Sequence, residues 1–271
     1  MSNQDSYTLA YSPCPNDTFL FYNLVHNKLN LSFGIQEELH DVEELNRSAK
    51  LGKFDITKLS FAAFFQVASE YEILESGSAL GRGCGPILIA KKGIRKKALG
   101  ESKILIPGEM TTANLLLNLY AQESGLGILH SVPIRYDRII PTLNKGEADY
   151  GLIIHEERFT YSQFDLDPVV DLGDWWETLT GFPIPLGCIA VRKSLPKEKK
   201  EEISRAIQAS LDMAWRHPEE PQEYILQNSQ NKDLGVVRSH IDLYVNEFTY
   251  ALGDQGKKAI QELFDRYRKV S

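Results

Sequence analysis

In this 271-residue chain His155 follows the apolar run 150–154 and precedes Glu156, Glu157 and Arg158. Ligands of open α/β sheets sit outside the carboxyl ends of the strands. An imidazole with its ordinary pKa of about 6.5 suits proton abstraction near neutrality. Many strand-end histidines simply pair with backbone, so the residues alone leave a catalytic and a structural role equally open. His155-Glu156 also begins a zinc-protease pattern, but position 159 is Phe where a second histidine would be needed four residues on, so no metal ligation is expected. The other histidines, His26, His40, His130, His217 and His240, fall in or beside predicted helices and turns and read as structural.

Three further stretches place small polar groups at predicted strand-to-helix junctions: 12–18, which includes Asn16; 58–60, which is Lys58, Leu59 and Ser60; and 107–112, which ends in Thr111 and Thr112. A helix N-terminus offers unpaired N–H groups and partial positive charge, so each junction could hold a carboxylate or a hydroxylated ligand. Convergence of the three would make one anion-binding cleft. The glycine-rich stretch 77–85 lacks the Gly-Lys-Ser/Thr of a phosphate loop and opens a strand instead of a helix. It reads as a tight connection with close backbone approach. Arg82 within it is a candidate for a ligand carboxylate, because a guanidinium pairs bidentately. Trp175-Trp176 reads as packing, although the pair could close over a flat aryl ligand. Arg135, Asp137 and Arg138 read as a solvated ion-pair cluster.

The elements that must position these groups follow from hydrophobic periodicity. Strands are expected at 7–11, 31–38, 54–58, 71–75, 86–90, 103–106, 132–136, 150–154, 168–172 and 186–191. Helices are expected at 18–26, capped by Asn16 or Asp17, at 42–51, capped by Asp41, and at 61–68, 111–122, 137–144 and 174–180. Four more, 197–215, 218–228, 235–252 and 256–270, form a strand-free tail. Strands alternating with helices predict parallel αβ units. The basic loop 91–97 and the restart of the pattern at Lys103 suggest two lobes, 1–95 with 190–271, and an inserted 96–189.

A content of 42% hydrophobic and 25% charged residues supports a substantial core, enough for one large or two ordinary domains. Thirty Lys plus Arg against 37 Asp plus Glu give a net charge of −7, opposite to the basic footprint of a nucleic-acid binder. Nucleic acid is not an expected partner. No run approaches the length of a membrane span, and residues 1–8 lack a basic segment followed by an apolar one, so a cytoplasmic protein is expected. Three widely spaced cysteines, Cys14, Cys84 and Cys188, suggest free thiols.

The segments 12–19 (SPCPNDTF), 57–60 (TKLS), 81–83 (GRG), 135–139 (RYDRI) and 151–156 (GLIIHE), with Pro107-Gly108 and Thr111-Thr112, together resemble the 1,4-dihydroxy-6-naphthoate synthases. The resemblance runs from about residue 9 to 250, in order and with similar spacing, through 171–173 (DLG) and 185–187 (PLG). It implies an α/β fold like the two-lobed type II periplasmic binding proteins, with a ligand cleft between lobes and a helical C-terminal segment. It also implies a carbon-carbon lyase of the futalosine route to menaquinone that acts on cyclic dehypoxanthine futalosine, a small aryl carboxylate, without a cofactor. His155 maps to the family's proton acceptor, and Lys58, Leu59, Ser60, Thr111 and Thr112 map to its substrate contacts. A non-catalytic solute-binding protein of the same fold and the chorismate dehydratase of the same pathway are the competing expectations.

Overall fold

The computed structural model describes residues 5–93 and 98–270, so residues 94–97 of the expected basic loop lie outside the described residues. The chain begins with β1 (Ser6–Tyr11), α1 (Pro15–Val25), β2 (Gly34–Leu39), α2 (Val42–Lys50), β3 (Ile56–Ser60) and α3 (Phe61–Val67). Next come β4 (Tyr71–Ile73), β5 (Ala79–Gly81), β6 (Ile87–Lys91), β7 (Lys103–Ile106), α4 (Thr112–Glu123), β8 (His130–Pro133) and α5 (Ile139–Asn144). They are followed by β9 (Tyr150–Ile153), α6 (Glu157–Thr160), β10 (Leu166–Asp171), α7 (Leu172–Thr180) and β11 (Ile184–Arg192). The tail is α8 (Lys197–Arg216), α9 (Gln222–Asn228), α10 (Leu234–Tyr244), α11 (Glu247–Tyr250) and α12 (Gly253–Val270).

Two sheets result. One has the order β2-β1-β3-β11-β4, with β5 also on β11; the other has the order β10-β6-β9-β7-β8. The αβ units do form parallel pairs: β1 with β2 and β3, and β7 with β8 and β9. The sheets are nonetheless mixed, not parallel, because the strand that enters each from the other side runs against its neighbours. β11 is antiparallel to β3, β4 and β5, and β6 is antiparallel to β9 and β10. This pairing also moves the expected crossing points. The strand at 87–91 bonds into the second sheet and that at 184–192 into the first, so the chain crosses between Gly81 and Ile87 and again between Asp171 and Ile184. β6, which precedes the basic loop that suggested a boundary near 95, already belongs to the second sheet.

Strand alternation distributes the core. Along β6, Ile87 and Ile89 face a cluster with Leu105, Ile139, Leu143 and Ile153, whereas Leu88 and Ala90 face a second cluster with Leu59, Leu116, Trp176 and Ala190. That second cluster joins residues of both sheets. A third lies under α1 and α8, where Leu9, Leu20, Ile56 and Ile207 pack together. Two local expectations change. Cys14, not Asn16 or Asp17, is the N-cap of α1, because Pro15 takes the first helical position, where its missing N–H costs nothing. The tail helix expected over 235–252 breaks at extended Val245, and Asn246 caps a new turn through a reciprocal bond with Thr249.

The glycine-rich stretch is the first crossing, and its glycines allow close approach. A Cβ on Gly85 would lie 2.3 Å from the Cα and N of Gly173, two backbones in contact. Gly83, by contrast, faces open space at φ +63°. Gly85→Ala should therefore destabilise the protein by about 2–3 kcal/mol, since neither backbone can yield, and Gly83→Ala by only about 1 kcal/mol of left-handed strain. Denaturant unfolding checks this, and equal costs would contradict the packing described.

Candidate active site

The three polar junctions converge on one cleft of about 680 Å³, part of it open to solvent. Ser12, Asn16 and Asp17 come from the β1–α1 junction, Lys58, Leu59 and Ser60 from the end of β3, and Thr111, Thr112 and Ala113 from the start of α4, with His155 closing the far side.

Asp17 anchors the first wall. Its carboxylate accepts from Lys58 Nζ at 2.8 Å, Ser12 Oγ at 2.7 Å and Asn16 Nδ2 at 2.9 Å, while Lys58 also donates to the Gly77 carbonyl at 3.3 Å. Both charged groups are buried. Lys58 thus lines the cleft but arrives already paired.

The second wall is braced from outside the cleft. The Asn46 amide accepts from Ser60 N–H at 3.0 Å and donates to Ser60 Oγ at 3.2 Å, and the Glu43 carboxylate accepts from the N–H groups of Glu109 and Met110, each at 3.1 Å. Gly108 leaves room for that carboxylate: a Cβ there would fall 2.3 Å from Glu43 Oε2. Thr111 caps α4 by accepting from Asn114 N–H at 3.2 Å, and its hydroxyl donates to Gly108 O at 2.8 Å. Thr112 Oγ1 accepts from Ala62 N–H at 3.3 Å and donates to Leu186 O at 2.8 Å. Both threonine hydroxyls are therefore spent on bracing. Among the described residues, the Ser60 hydroxyl proton and the N–H groups of Thr112 and Ala113 have no partner. These donors face the cleft at a helix N-terminus, where an anion is favoured.

His155 sits just past β9 at φ +56°, a left-handed conformation that costs a non-glycine residue about 1–3 kcal/mol. Arg158, three residues on, fixes the loop by donating to Gly85 O at 2.8 Å and Asp171 Oδ2 at 2.6 Å. The His155 Nδ1 lies 3.3 Å from Cys14 Sγ, its ring packs 5.0 Å from Tyr136 and 6.2 Å from His240, and its Nε2 is buried without a partner. Burial lowers its pKa to about 4, with Lys58 adding to the effect and Asp17 opposing it, so the ring is neutral at pH 7. Burial pushes the Cys14 thiol up, as do nearby Glu156 and Asp17, and it raises the Glu156 carboxyl too.

Comparison with known proteins places this geometry in context. A protein-family model described as "Menaquinone biosynthesis" matches residues 7–269. The chain is 44% identical to the 1,4-dihydroxy-6-naphtoate synthase of Thermus thermophilus over 260 residues, 96% of this chain and 93% of that one. It is 38% identical to the enzyme of the same name from Streptomyces coelicolor over 265 residues, 97% and 93% of the two chains. The chain belongs to the 1,4-dihydroxy-6-naphthoate synthase family of menaquinone biosynthesis. It is accordingly an enzyme. The crystal structure of protein AF1704 from Archaeoglobus fulgidus is similar at TM-score 0.91 and 33% identity, covering 99% of this chain and 98% of that one. The Candida albicans CA3427 product, described as showing the generic periplasmic binding protein fold, is similar at TM-score 0.66 and 12% identity, covering 98% and 91%. The family's fold is therefore that of the periplasmic binding proteins, as expected, and among the described residues no helix is long and apolar enough to cross a membrane.

Of the residues singled out in the sequence, His155, Lys58, Leu59, Ser60, Thr111, Thr112 and Asn16 line this cleft. Arg82 does not. It is half-exposed, donates to Glu177 at 3.1 Å and Gly181 O at 2.8 Å, and so closes the first crossing instead of meeting a ligand. Trp176 is fully buried, donating to Pro183 O at 3.2 Å, and Trp175 packs on Tyr120, so neither covers the cleft. Arg135 pairs with Asp137 at the surface. Sequence reasoning did not group Asn46 or His240 with the site, and it touched Cys14 only as one position of the 12–18 junction. His240, buried in α10, bonds Asn16 Oδ1 through Nε2 at 2.8 Å. Only the amphipathic pattern of its helix, with Val237, Ile241 and Tyr244 also inward, marked it as buried.

Two expectations follow. Lys58→Met strands the Asp17 carboxylate and should cost about 3–5 kcal/mol, whereas Lys58→Met with Asp17→Asn should cost much less; additive costs in unfolding experiments would contradict the pairing. The lowered His155 pKa means the unfolded chain binds a proton that the folded chain refuses. Its contribution to stability is therefore full above about pH 6.5 and is lost as pH falls toward 4, by about 3 kcal/mol. NMR titration should place the His155 imidazole near pH 4, and a midpoint near 6.5 would refute its burial as a neutral base.

Proposed function

We propose that this enzyme converts cyclic dehypoxanthine futalosine to 1,4-dihydroxy-6-naphthoate by base-assisted carbon-carbon cleavage, with His155 as the proton acceptor. The observation that carries the reading is the unpartnered Nε2 of a neutral His155 that lines the same cleft as unpartnered anion donors. In the tautomer whose Nδ1–H donates to the Cys14 sulfur, the lone pair sits on Nε2. The aryl carboxylate then occupies the Ser60 hydroxyl and the Thr112 and Ala113 amides, which sets the distance between the bound anion and the base. Nε2 removes a proton next to a carbonyl, and the enolate collapses as the bond to the ribose-derived fragment breaks. The electron pair of that bond leaves with the fragment, which takes up the proton held on Nε2, and the ring gains aromaticity. General-base assistance of this kind contributes about 10²- to 10⁴-fold. The two sheets act as lobes, divided at the observed crossings, and their closure excludes water from the enolate.

The purified protein should form dihydroxynaphthoate from cyclic dehypoxanthine futalosine, followed by mass spectrometry, and should leave chorismate unchanged. No naphthoate product would sink the assignment. His155→Ala should lose about 10²- to 10⁴-fold in kcat while keeping the thermal stabilisation given by the substrate; unaltered turnover would remove His155 from the mechanism and leave the reaction standing.

A further inference from the structure

The fold brings Cys14 beside His155-Glu156, 141 residues away in sequence, so that one donor atom from each lies within 4.8 Å of the others. Cys14 and Glu156 are 2% and 3% exposed, and the Glu156 carboxylate has only backbone N–H groups of Gln230, Asn231 and its own residue near it, none in full hydrogen-bond geometry. A buried carboxylate left this way calls for either a proton or a cation. The search for a second histidine four residues after His155 could not reveal this set, because its third donor comes from the start of α1. We propose that Cys14, His155 and Glu156 form a binding site for one Zn²⁺ ion, whose occupation removes His155 from proton transfer.

The donors choose the metal. A thiolate, an imidazole and a carboxylate suit borderline-soft Zn²⁺, while Mg²⁺ and Ca²⁺ take oxygen ligands. Bonds of about 2.0–2.3 Å at tetrahedral angles put neighbouring donors roughly 3.3–3.8 Å apart. Cys14 Sγ and His155 Nδ1 already stand at 3.3 Å, so the carboxylate needs to close by about 1 Å, a side-chain rotation. Charge also balances. Thiolate and carboxylate together neutralise the ion, which allows it in a buried place. On binding, the sulfur–metal bond forms as the thiol proton, and that of the carboxyl where it is protonated, leave to the buffer, while the imidazole proton moves from Nδ1 to Nε2 as Nδ1 bonds the metal; no electron is transferred. Three protein donors leave a fourth position for water.

The inhibitory part rests on the proposed role of His155, whereas the binding part does not. Calorimetric titration of the full chain with ZnCl₂ should give one tight ion per chain, and MgCl₂ should give none. Co²⁺ at the same site should show a sulfur-to-cobalt charge-transfer band. Cys14→Ser should abolish that band and weaken Zn²⁺ by more than the roughly 10- to 100-fold typical of losing an outer-shell partner, and Glu156→Gln should weaken Zn²⁺ while keeping the band. Melting curves without metal confirm that each variant folds, and the cobalt spectrum of the unmodified protein decides even if a variant does not. No stoichiometric binding, a cobalt spectrum without thiolate character, or unchanged Zn²⁺ affinity in folded Cys14→Ser would overturn the site. Turnover should fall with Zn²⁺ occupancy and return on chelation. Binding without inhibition would uphold the site and count against His155 as the base; loss of turnover in His155→Ala when the unmodified protein binds no Zn²⁺ would do the reverse.

Discussion

The buried pair of Asp17 and Lys58 is the interaction on which the cleft depends. Neither charge would be stable there alone, since an isolated ion in such a place costs several kcal/mol of lost hydration. Together with Ser12, Asn16 and the Gly77 carbonyl they saturate one another, joining the first turn of α1, the end of β3 and the loop before β5 in one network. The partners come from three chain segments, so the network fixes three elements at once. It also explains an apparent contradiction in the site, which is proposed to hold a carboxylate although its one buried lysine is already neutralised. Attraction for an anion then falls to dipoles, the amides of Thr112 and Ala113, and to the Ser60 hydroxyl, all of which hold an oxyanion by position more than by net charge.

Those dipoles are useful only if they are held still, and the bracing serves that end. Glu43 and Asn46, on the inward face of α2, reach across from the first sheet to the loop that opens α4 in the second. Thr112 in turn bonds the start of α3 and the Leu186 carbonyl on β11. The anion-binding end of α4 is thereby registered against the first sheet, and the cluster that joins Leu59, Leu116, Trp176 and Ala190 supports the same closure. Separating the two sheets at the cleft would break these bonds and expose part of that apolar contact.

How much of this was legible in the sequence depends on range. Period and punctuation exposed most elements, as with Leu115, Leu116 and Leu119 of α4 or the apolar run of β9, because those patterns are local. The strand-to-helix junctions were legible for the same reason, and their convergence followed from the rule that ligands sit at strand ends. Antiparallel entry of β6 and β11 was not legible, since an apolar run such as 86–90 carries no mark of direction or of the sheet that will pair it. Arg82 misled because a guanidinium next to glycines suits a ligand or a surface carboxylate equally, and Glu177, 95 residues away, took it. Cys14 and His240 could not be assigned from their neighbours at all, because what defines them is contact with residues 141 and 224 positions away.

The environment of His155 joins these themes. Burial lowers the imidazole's affinity for a proton, which weakens it as a base and at the same time guarantees that it is neutral, with a lone pair to offer, throughout the neutral range. In the proposed reaction such a base needs an acid whose conjugate is held nearby, and an enolate oxygen or aryl carboxylate on the α4 amides would supply that stabilisation. The left-handed backbone at His155 is sustained by strand β9 on one side and by the Arg158 bonds to Gly85 and Asp171 on the other. Gly85 and Asp171 flank the two crossings between the sheets. The loop that carries His155 is thus tied to the segments that link the two sheets, so that the position of the imidazole is set by both crossings and not by its own strand alone.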